Sequence, residues 1–328
     1  MGALLDEVRA QDTALDTLRR SLASGRLHHA LLFDGPSGVG KTLTAFGFAQ
    51  ALVCERRSPD KTDACGACSA CGRAVPRGEK HLSVHPDVIV IARGAYEPAA
   101  IGRRTQESQD ISIDQIRTLV LARAAFPPHE GRARVYVIRD ADELSTPAAN
   151  ALLKTLEEPT RGTYFILVTA KSGTLLSTIR SRAQRIRFGF LPDDVVAHVA
   201  TSKGIDAELA TRLAPLAGGT VDALLRLADA TTAAGLETFV ARALEAIDAQ
   251  HVGPALELAA EAKQAKGAIE GNLEALAARF AYEGRRLGPG AMQAAARHQL
   301  ASKAISDLAR NASAQLTVEA MLLKMRRT

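Results

Sequence analysis

Short apolar runs alternate with helical patterns through the first 190 residues of the chain. Apolar residues at spacings of three and four between Ile113 and Val120 predict one of the helices. Apolar runs with the length of buried strands lie at residues 30–33, 88–91, 135–138, 165–169 and 185–188. Strands that alternate with helices in this way predict an α/β unit built around a mainly parallel sheet.

The strand signals stop after Phe190-Leu191-Pro192, and helical patterns continue to the end of the sequence. Apolar stripes at helical spacing lie at residues 209–217, 224–228, 236–247 and 318–325. A glycine pair separates the first two stripes, and Thr220, which follows it, is the predicted N-cap of the next helix. We therefore predict an α/β domain at 1–190, a small helical domain at 191–233 and a helical C-terminal domain at 234–328.

The composition is that of an ordinary globular protein and excludes few classes of function. The chain has 328 residues, of which 47% are hydrophobic and 23% charged. Its net charge of +5 is compatible with a function near DNA but favours it only slightly. No run of about 18 apolar residues could span a membrane. The first residues lack the basic and apolar regions of a secretion signal, so a cytoplasmic location is expected.

One motif has the form of a phosphate-binding loop. The stretch Gly35-Pro36-Ser37-Gly38-Val39-Gly40-Lys41-Thr42 matches G-x-x-x-x-G-K-S/T and stands between a predicted strand and a predicted helix. The glycines let the backbone curl so that several N–H groups point at phosphate oxygens. Lys41 is expected to contact the β- and γ-phosphates, and Thr42 to ligate Mg²⁺ where it is present. The alternative is a glycine turn that no longer binds nucleotide.

Hydrolysis of ATP needs a carboxylate at the end of a second strand to hold Mg²⁺. That strand is predicted at residues 135–138, and the residue after it is Arg139. Because a cation at this position repels Mg²⁺, we expect ATP or ADP to be bound with little or no hydrolysis. A slip of one residue would instead let Asp140 hold the metal, so an active site stays open as the alternative.

The four cysteines of the chain, Cys54, Cys65, Cys68 and Cys71, all fall in one segment. The C-x₂-C-x₂-C spacing makes neighbouring thiolates converge, and Cys54 can complete a tetrahedral set. Because four thiolates leave no position for water, the prediction is a structural Zn²⁺ ion; an iron–sulfur cluster is the alternative. His85 lies nearby in the sequence and is predicted to be a turn residue.

The order of these motifs resembles the clamp-loader subunits of bacterial DNA polymerase III, a family of AAA+ proteins, and among them the delta-prime type and its gamma/tau relatives. Besides the phosphate loop and the inserted cysteines, the resemblance rests on residues 27–33, 85–87, 113–117, 148–159 and 178–182. It covers residues 10–190. It implies a AAA+ P-loop domain with a parallel sheet and an inserted Cys₄ zinc module at about 54–71, a helical lid domain and an all-α C-terminal collar domain.

Three departures separate the chain from the gamma/tau motor subunits. Arg139 stands at the Mg²⁺ position, as above. Asp222 stands where the motors carry an arginine that contacts the γ-phosphate. The third departure is that the long Pro-rich, charged extension of the tau form is not found.

One feature of the family is kept. Clamp-loader subunits share a Ser-Arg-Cys motif whose arginine reaches into the ATP site of the neighbouring subunit, and this chain has Ser181-Arg182-Ala183. Arg182 is therefore expected to act in trans as an arginine finger. The alternative is an ordinary surface arginine, because other arginines lie close by.

The resemblance thus implies a delta-prime-type scaffold subunit in a hetero-oligomeric ring with gamma/tau motor subunits and a delta subunit. The ring would load the sliding clamp on primed DNA. The chain would belong to the DNA polymerase III holoenzyme without being a competent ATPase itself. Two alternatives stay open: a gamma/tau-like active ATPase, and an independent zinc-containing DNA-binding ATPase. Against the latter, no tract combines aromatic and basic residues for stacking on single strands.

Overall fold

The computed structural model describes residues 2–57, 63–102, 110–130, 132–228, 230–263, 269–285, 288, 290–309 and 312–328. Of residues 230–234, 285 and 309 it describes the backbone only. The chain forms two compact units, Met1–Gly189 and Phe190–Thr328. The further division of the second unit at residue 233 stays a prediction.

Within the described part of the first unit, five strands form one parallel sheet. They are β1 (Ala30–Asp34), β2 (Val88–Ile91), β3 (Arg134–Ile138), β4 (Thr163–Thr169) and β5 (Gln184–Arg187). Their order is β2-β3-β4-β1-β5, and each neighbouring pair is parallel. The predicted strands and the parallel sheet are confirmed. Because β1 is an interior strand, the loop after it leaves from the middle of the carboxyl edge, where α/β folds bind ligands.

Helices cover both faces of this sheet. The α-helices of the first unit are α1 (Asp12–Ala23), α2 (Lys41–Val53), α3 (Ser69–Ala74), α4 (Ile113–Gln115), α5 (Ala122–Ala124), α6 (Thr146–Glu157) and α7 (Ser177–Arg180). A π-helix, Ile116–Leu121, joins α4 to α5, and short 3₁₀-helices lie at Leu4–Glu7, Pro98–Ile101, Ala141–Glu143 and Ser172–Thr174. The helix predicted from the 113–120 spacing is therefore confirmed, and most of it has π-helical rather than α-helical hydrogen bonding.

The two faces of the sheet bury different helices. On one face Tyr136 stacks on Phe165 with ring centroids 4.9 Å apart, and Leu152 of α6 belongs to the same cluster. On the other face α2 packs against β1, β3 and β4, and its Phe46 and Phe48 are fully buried. Strands that are buried on both faces are apolar along their whole length, as the sequence runs indicated.

The second unit is entirely helical in the part that the structure describes. Its helices are α8 (Asp193–Ser202), α9 (Ala207–Leu213), α10 (Val221–Leu227), α11 (Ala230–Asp248), α12 (Gly253–Ala262), α13 (Ile269–Arg285), α14 (Ala291–Ala309) and α15 (Ala314–Met325), with a 3₁₀-helix at Ala214–Ala217. Thr220 caps α10 as predicted, because its Oγ1 accepts from the Ala223 N–H. Leu236 and Ile247 are buried, so the long apolar stripe is core. None of the described helices has the length and apolar character that a membrane span requires.

Candidate functional site

The phosphate loop, residues 35–42, lies between β1 and the first turn of α2. Gly38 and Gly40 have φ angles of 72° and 97°, which residues with a Cβ rarely adopt. Gly40 is the N-cap of α2. Since the first N–H groups of a helix have no partner within the helix, this end of α2 is suited to bind an anion such as phosphate.

Gly35 allows the loop to approach β5 closely. A Cβ atom built at Gly35 would lie 2.3 Å from the carbonyl oxygen of Phe188. Any side chain here would push the start of the loop away from the end of β5. Close approach at Gly35 and left-handed backbone at Gly40 explain why the motif has glycine at these two positions, and Gly38 adds a second left-handed residue.

Lys41 is held inside the loop. Its side chain is buried, and Nζ donates to the carbonyl oxygens of Gly35, at 2.7 Å, and of Pro36. An ammonium group with three donors in this position can bind phosphate oxygens that enter the loop. Thr42 follows in the first turn of α2 and is half-buried. The structure thus brings the predicted nucleotide-binding residues together at one place on the carboxyl edge of the sheet.

The residue after β3 is a cation, Arg139, whose guanidinium bonds to the segment that precedes β2. The backbone N–H of Arg139 donates to the Ile91 carbonyl at 2.9 Å, and its guanidinium donates to the Lys80 carbonyl at 3.3 Å. The next residue, Asp140, is exposed and has a φ angle of 48°. The first residue after β3 is therefore an arginine, and the first carboxylate, that of Asp140, stands one residue further along.

The structure also shows an acid that the sequence patterns did not single out. The Oγ1 of Thr169 donates to Oδ1 of Asp142 at 2.6 Å. Thr169 ends β4 and pairs with Asp34, the last residue of β1 before the phosphate loop. Asp142 therefore lies one strand away from the root of the loop. Only the crossing of the 3₁₀-helix Ala141–Glu143 over the end of β4 brings it there.

The four cysteine sulfurs form one compact group, here called the cysteine cluster. All four Sγ atoms lie within 4.8 Å of one another, with Cys65 to Cys71 at 3.9 Å and Cys54 to Cys68 at 4.0 Å. A tetrahedron with Zn–S bonds of ~2.3 Å has S···S edges of about 3.8 Å. Disulfide sulfurs would be about 2 Å apart. The cluster fits a tetrahedral metal ion and contains no disulfide.

Backbone N–H groups hold these sulfurs in place. The N–H groups of Cys65, Cys68 and Cys71 donate to the sulfurs of Cys54, Cys65 and Cys68 at 3.3 to 3.4 Å. Such bonds favour thiolates.

The thiols of the cluster differ in their surroundings. A hydrogen bond from the Ala67 N–H lowers the pKa of the exposed Cys65 to about 6, whereas burial raises the pKa of Cys71. Burying several thiolates together requires a cation to balance their charge, which a divalent metal supplies. His85 is not part of the cluster; its Nδ1 accepts from the Asp87 N–H at 3.1 Å, as the predicted turn residue would.

Arg182 lies at the amino ends of the strands, whereas the phosphate loop lies at their carboxyl ends. It precedes β5, whose first residue, Gln184, pairs with Leu31 of the parallel strand β1. The loop begins at Gly35, four residues further along β1, a distance of about 13 Å along the strand. The Arg182 side chain therefore cannot serve the loop of its own chain.

The Arg182 guanidinium has local partners. Its Nη1 donates to the Thr178 carbonyl at 3.1 Å, and Nη2 lies 2.5 Å from Oε1 of Glu157. The side chain is about one third exposed.

A model of the family described as DNA polymerase III, delta subunit matches residues 10–191, more than half of the chain. The chain belongs to this family. The predicted membership of the AAA+ clamp-loader subunits is thereby confirmed.

Curated relatives include both types of subunit that the motif order resembles. The chain is 35% identical to the DNA polymerase III subunit tau of Bacillus subtilis (strain 168) over 203 residues, 62% of this chain and 32% of that protein. It is 36% identical to the DNA polymerase III subunit delta' of Pseudomonas aeruginosa over 154 residues, 47% of this chain and 41% of that protein. The matches thus span less than half of these relatives, and their identities do not separate the two types.

Among solved structures, a DNA polymerase III gamma subunit-related protein of Thermotoga maritima aligns with 96% of this chain and 99% of its own. The identity is 16% and the TM-score 0.44. At this level the likeness carries no argument about function.

Proposed function

We propose that the chain is a delta-prime-type clamp-loader subunit, a AAA+ scaffold that binds nucleotide with little or no hydrolysis. The observation that carries the proposal is Arg139 at the end of β3. A guanidinium stands where an ATPase needs a Mg²⁺ ligand, and it donates to the Lys80 carbonyl in the segment that precedes β2. The test is ATP turnover by the purified chain alone and in the assembled loader. Turnover by the isolated chain at the rate of a motor subunit would refute the proposal.

Nucleotide binding is the part of this function assigned to the phosphate loop. The phosphates of ATP or ADP would be held by the glycine backbone, the N-terminus of α2 and the buried Lys41. Thr42 would face Mg²⁺ if the ion accompanies the nucleotide. Calorimetric titration of the chain with ATP and ADP, each with and without Mg²⁺, measures this directly.

The cysteine cluster would hold a structural Zn²⁺ ion. All four sulfurs are close enough to share one ion, and a set of four thiolates leaves no open position for a reacting water. The ion would fix the insertion around α3 and would take no part in the chemistry of ATP.

Arg182 would serve a neighbouring subunit as an arginine finger. Its place at the amino edge of the sheet, out of reach of its own phosphate loop, supports a role in trans. The partners would be gamma/tau motor subunits and a delta subunit in one hetero-oligomeric ring. That ring would open the sliding clamp and place it on primed DNA, with the helical second unit contributing the lid and the collar.

A hydrolytically active, gamma/tau-like ATPase is the second candidate. It is favoured by Asp142, whose carboxylate lies one strand from the phosphate loop. If Asp142 or Asp140 holds Mg²⁺, the isolated chain should turn over ATP and lose that activity on Asp142→Asn or Asp140→Asn. The scaffold proposal expects no activity to lose.

A further inference from the structure

One buried side chain connects the phosphate loop to the last residue of the first unit. Gln11 is the residue before α1 and is 4% exposed. Its Nε2 donates to the Val39 carbonyl at 3.3 Å and to the Gly189 carbonyl at 2.9 Å. The Gly189 N–H donates back to Oε1 at 3.1 Å. Every one of these bonds joins Gln11 to backbone, and Gly189 is the last residue of the first unit.

The bond to Val39 acts on the N–H group of the next residue. In a planar trans peptide the C=O and the N–H point in opposite directions. When Gln11 holds the Val39 carbonyl on one side, the Gly40 N–H is directed to the other side. That N–H belongs to the residue that caps α2, where phosphate would bind.

The bonds to Gly189 hold the chain at its exit from the first unit. The carboxamide pairs with both the N–H and the C=O of this residue, as a neighbouring strand would. Phe188, just before it, is held by its own N–H, which donates to the Asp34 carbonyl at 2.8 Å. The backbone at 188–189 is therefore tied to both ends of the segment that contains the phosphate loop.

The backbone near Gln11 is itself held in an unusual conformation. Ala10 has a φ angle of 52°, in the left-handed region that residues with a Cβ seldom occupy. Such a conformation persists only when the surroundings determine it. Here the next residue is the buried Gln11, whose side chain is held by its three hydrogen bonds.

We propose that Gln11 is a positioning residue that couples phosphate binding at the Val39–Gly40 peptide to the backbone of Gly189, where the chain passes into the second unit. The coupling rests on the proposed nucleotide binding and gives it a consequence. A phosphate that tightens the Val39–Gly40 peptide strengthens the bond to Gln11 and through it the hold on Gly189. Loss of the phosphate loosens both.

The test is hydrogen exchange of the Gly189 amide in the full chain, with ADP or the non-hydrolysable analogue AMP-PNP and without nucleotide. In the wild type, nucleotide should slow this exchange by about threefold to tenfold, the range of one hydrogen bond. Gln11→Glu keeps an acceptor for the Gly189 N–H but loses the Nε2 donor to the carbonyls of Val39 and Gly189. It should therefore keep protection without nucleotide, lose the nucleotide effect, and bind nucleotide more weakly. Gln11→Leu should lose both the protection of the Gly189 amide without nucleotide and the effect of nucleotide on it.

The matched control is Gln115→Leu, which removes another buried carboxamide. Gln115 donates to the Ala92 carbonyl at 3.0 Å and accepts from the Ser112 N–H at 3.1 Å, both away from the phosphate loop. This variant should lose thermal stability yet keep the nucleotide effect at Gly189. A merely structural Gln11 would behave as Gln115 does.

The outcomes separate this inference from the proposed function. If the wild type binds no nucleotide in calorimetry, both fail. If it binds but Gly189 exchange does not respond, only the coupling fails, and this measurement needs no variant to fold. A response that survives in Gln11→Glu or Gln11→Leu also overturns the coupling.

Discussion

Arg182 and Glu157 form an ion pair in which Nη2 lies 2.5 Å from Oε1. Glu157 ends α6, and both side chains are partly exposed. A partly exposed pair of this kind contributes about 0–1 kcal/mol to stability, because solvent screens it. A phosphate group offers the guanidinium a stronger, bidentate partner. Under the proposed trans role, Arg182 would leave Glu157 for the phosphate of a neighbouring subunit at small cost.

Arg182→Ala should lower the ATPase rate of the complete loader while folding, zinc content and assembly stay nearly unchanged. One motor site would lose a group that can be worth ~10³–10⁵ in rate, and sites served by other subunits would keep theirs. Arg182→Lys should restore little, because an ammonium cannot replace the planar guanidinium. The measurement is steady-state ATP turnover by the reconstituted complex with DNA and clamp.

Arg180→Ala is the control for this experiment, because Arg180 is an exposed arginine at the end of α7. Arg185 is unsuitable, since its Nε donates at 2.7 Å to Asp34, a buried acid beside the phosphate loop. An equal loss of turnover in Arg180→Ala, or no loss in Arg182→Ala, would show that Arg182 is an ordinary surface arginine.

The cysteine cluster should contain about one Zn²⁺ per chain when the protein is purified without chelator. Cys71→Ser should lose the metal and lower the melting temperature, because the binding free energy of a structural zinc is also folding free energy. Ser69→Ala, a neutral change within α3, is the control. Elemental analysis and thermal unfolding are the measurements; iron with visible absorption, or a metal-free protein of equal stability, would contradict the assignment.

Lys41→Ala should weaken nucleotide binding to the isolated chain yet leave the ATPase of the loader mostly intact. The reason is that the phosphates lose their ammonium partner in a site that does not hydrolyse. Arg139→Asp should add a carboxylate at the end of β3 and raise the affinity for Mg²⁺ together with ATP. Calorimetry measures both variants. A large loss of loader ATPase in Lys41→Ala would favour the motor candidate instead.

Assembly should depend on exposed apolar side chains of the second unit rather than on the long apolar stripe of α11, which is buried. Met292 and Leu316 are 89% and 66% exposed. Met292→Glu and Leu316→Glu should weaken binding to the partner subunits without changing the melting temperature. Val84→Glu, at a 57% exposed apolar residue of the first unit, is the matched control. Unchanged affinity of both variants in size-exclusion or calorimetric assays would show that these two side chains do not contribute to assembly.

Asp87, in the stretch 85–87 that carries part of the family resemblance, supports the fold through a buried network. Its carboxylate accepts from the N–H groups of His129 and Glu130 at 2.7 Å and pairs with Arg134 at 3.3 Å. Burial alone would raise the pKa of Asp87, but these donors outweigh it and hold the pKa below its ordinary value. The charged carboxylate is thus the form that the folded state prefers.

Asp87→Asn should lower the free energy of unfolding at neutral pH by about 3–5 kcal/mol, because Arg134 loses its buried partner. Since the folded-state pKa of Asp87 is the lower one, its contribution is complete above about pH 4 and is lost as the pH falls through the folded-state value. The gap between wild type and variant should shrink in acid. Urea unfolding across pH measures it, with the exposed Asp16→Asn as control; a gap that is independent of pH would contradict this account.

The sequence by itself determined the strands, the phosphate loop, the family and the cysteine set, because each depends on short-range features. Apolar runs make strands wherever helices can cover both faces. Glycines at 35, 38 and 40 permit a backbone that other residues do not. Cysteines at 65, 68 and 71 are close in space because they are close along the chain, whereas Cys54 lies further away in the sequence and depends on the fold to reach them.

Only the tertiary structure decided which distant residues meet. Asp142 reaches Thr169 because a 3₁₀-helix crosses the end of β4, and Arg182 faces away from its own loop because β1 and β5 are parallel. Gln11 bonds to Val39, 28 residues away in the sequence, and to Gly189, 178 residues away, and no local pattern marks a glutamine for that role. Hydrogen bonds between remote segments depend on how the sheet orders its strands, and that order is a property of the whole unit rather than of any one stretch.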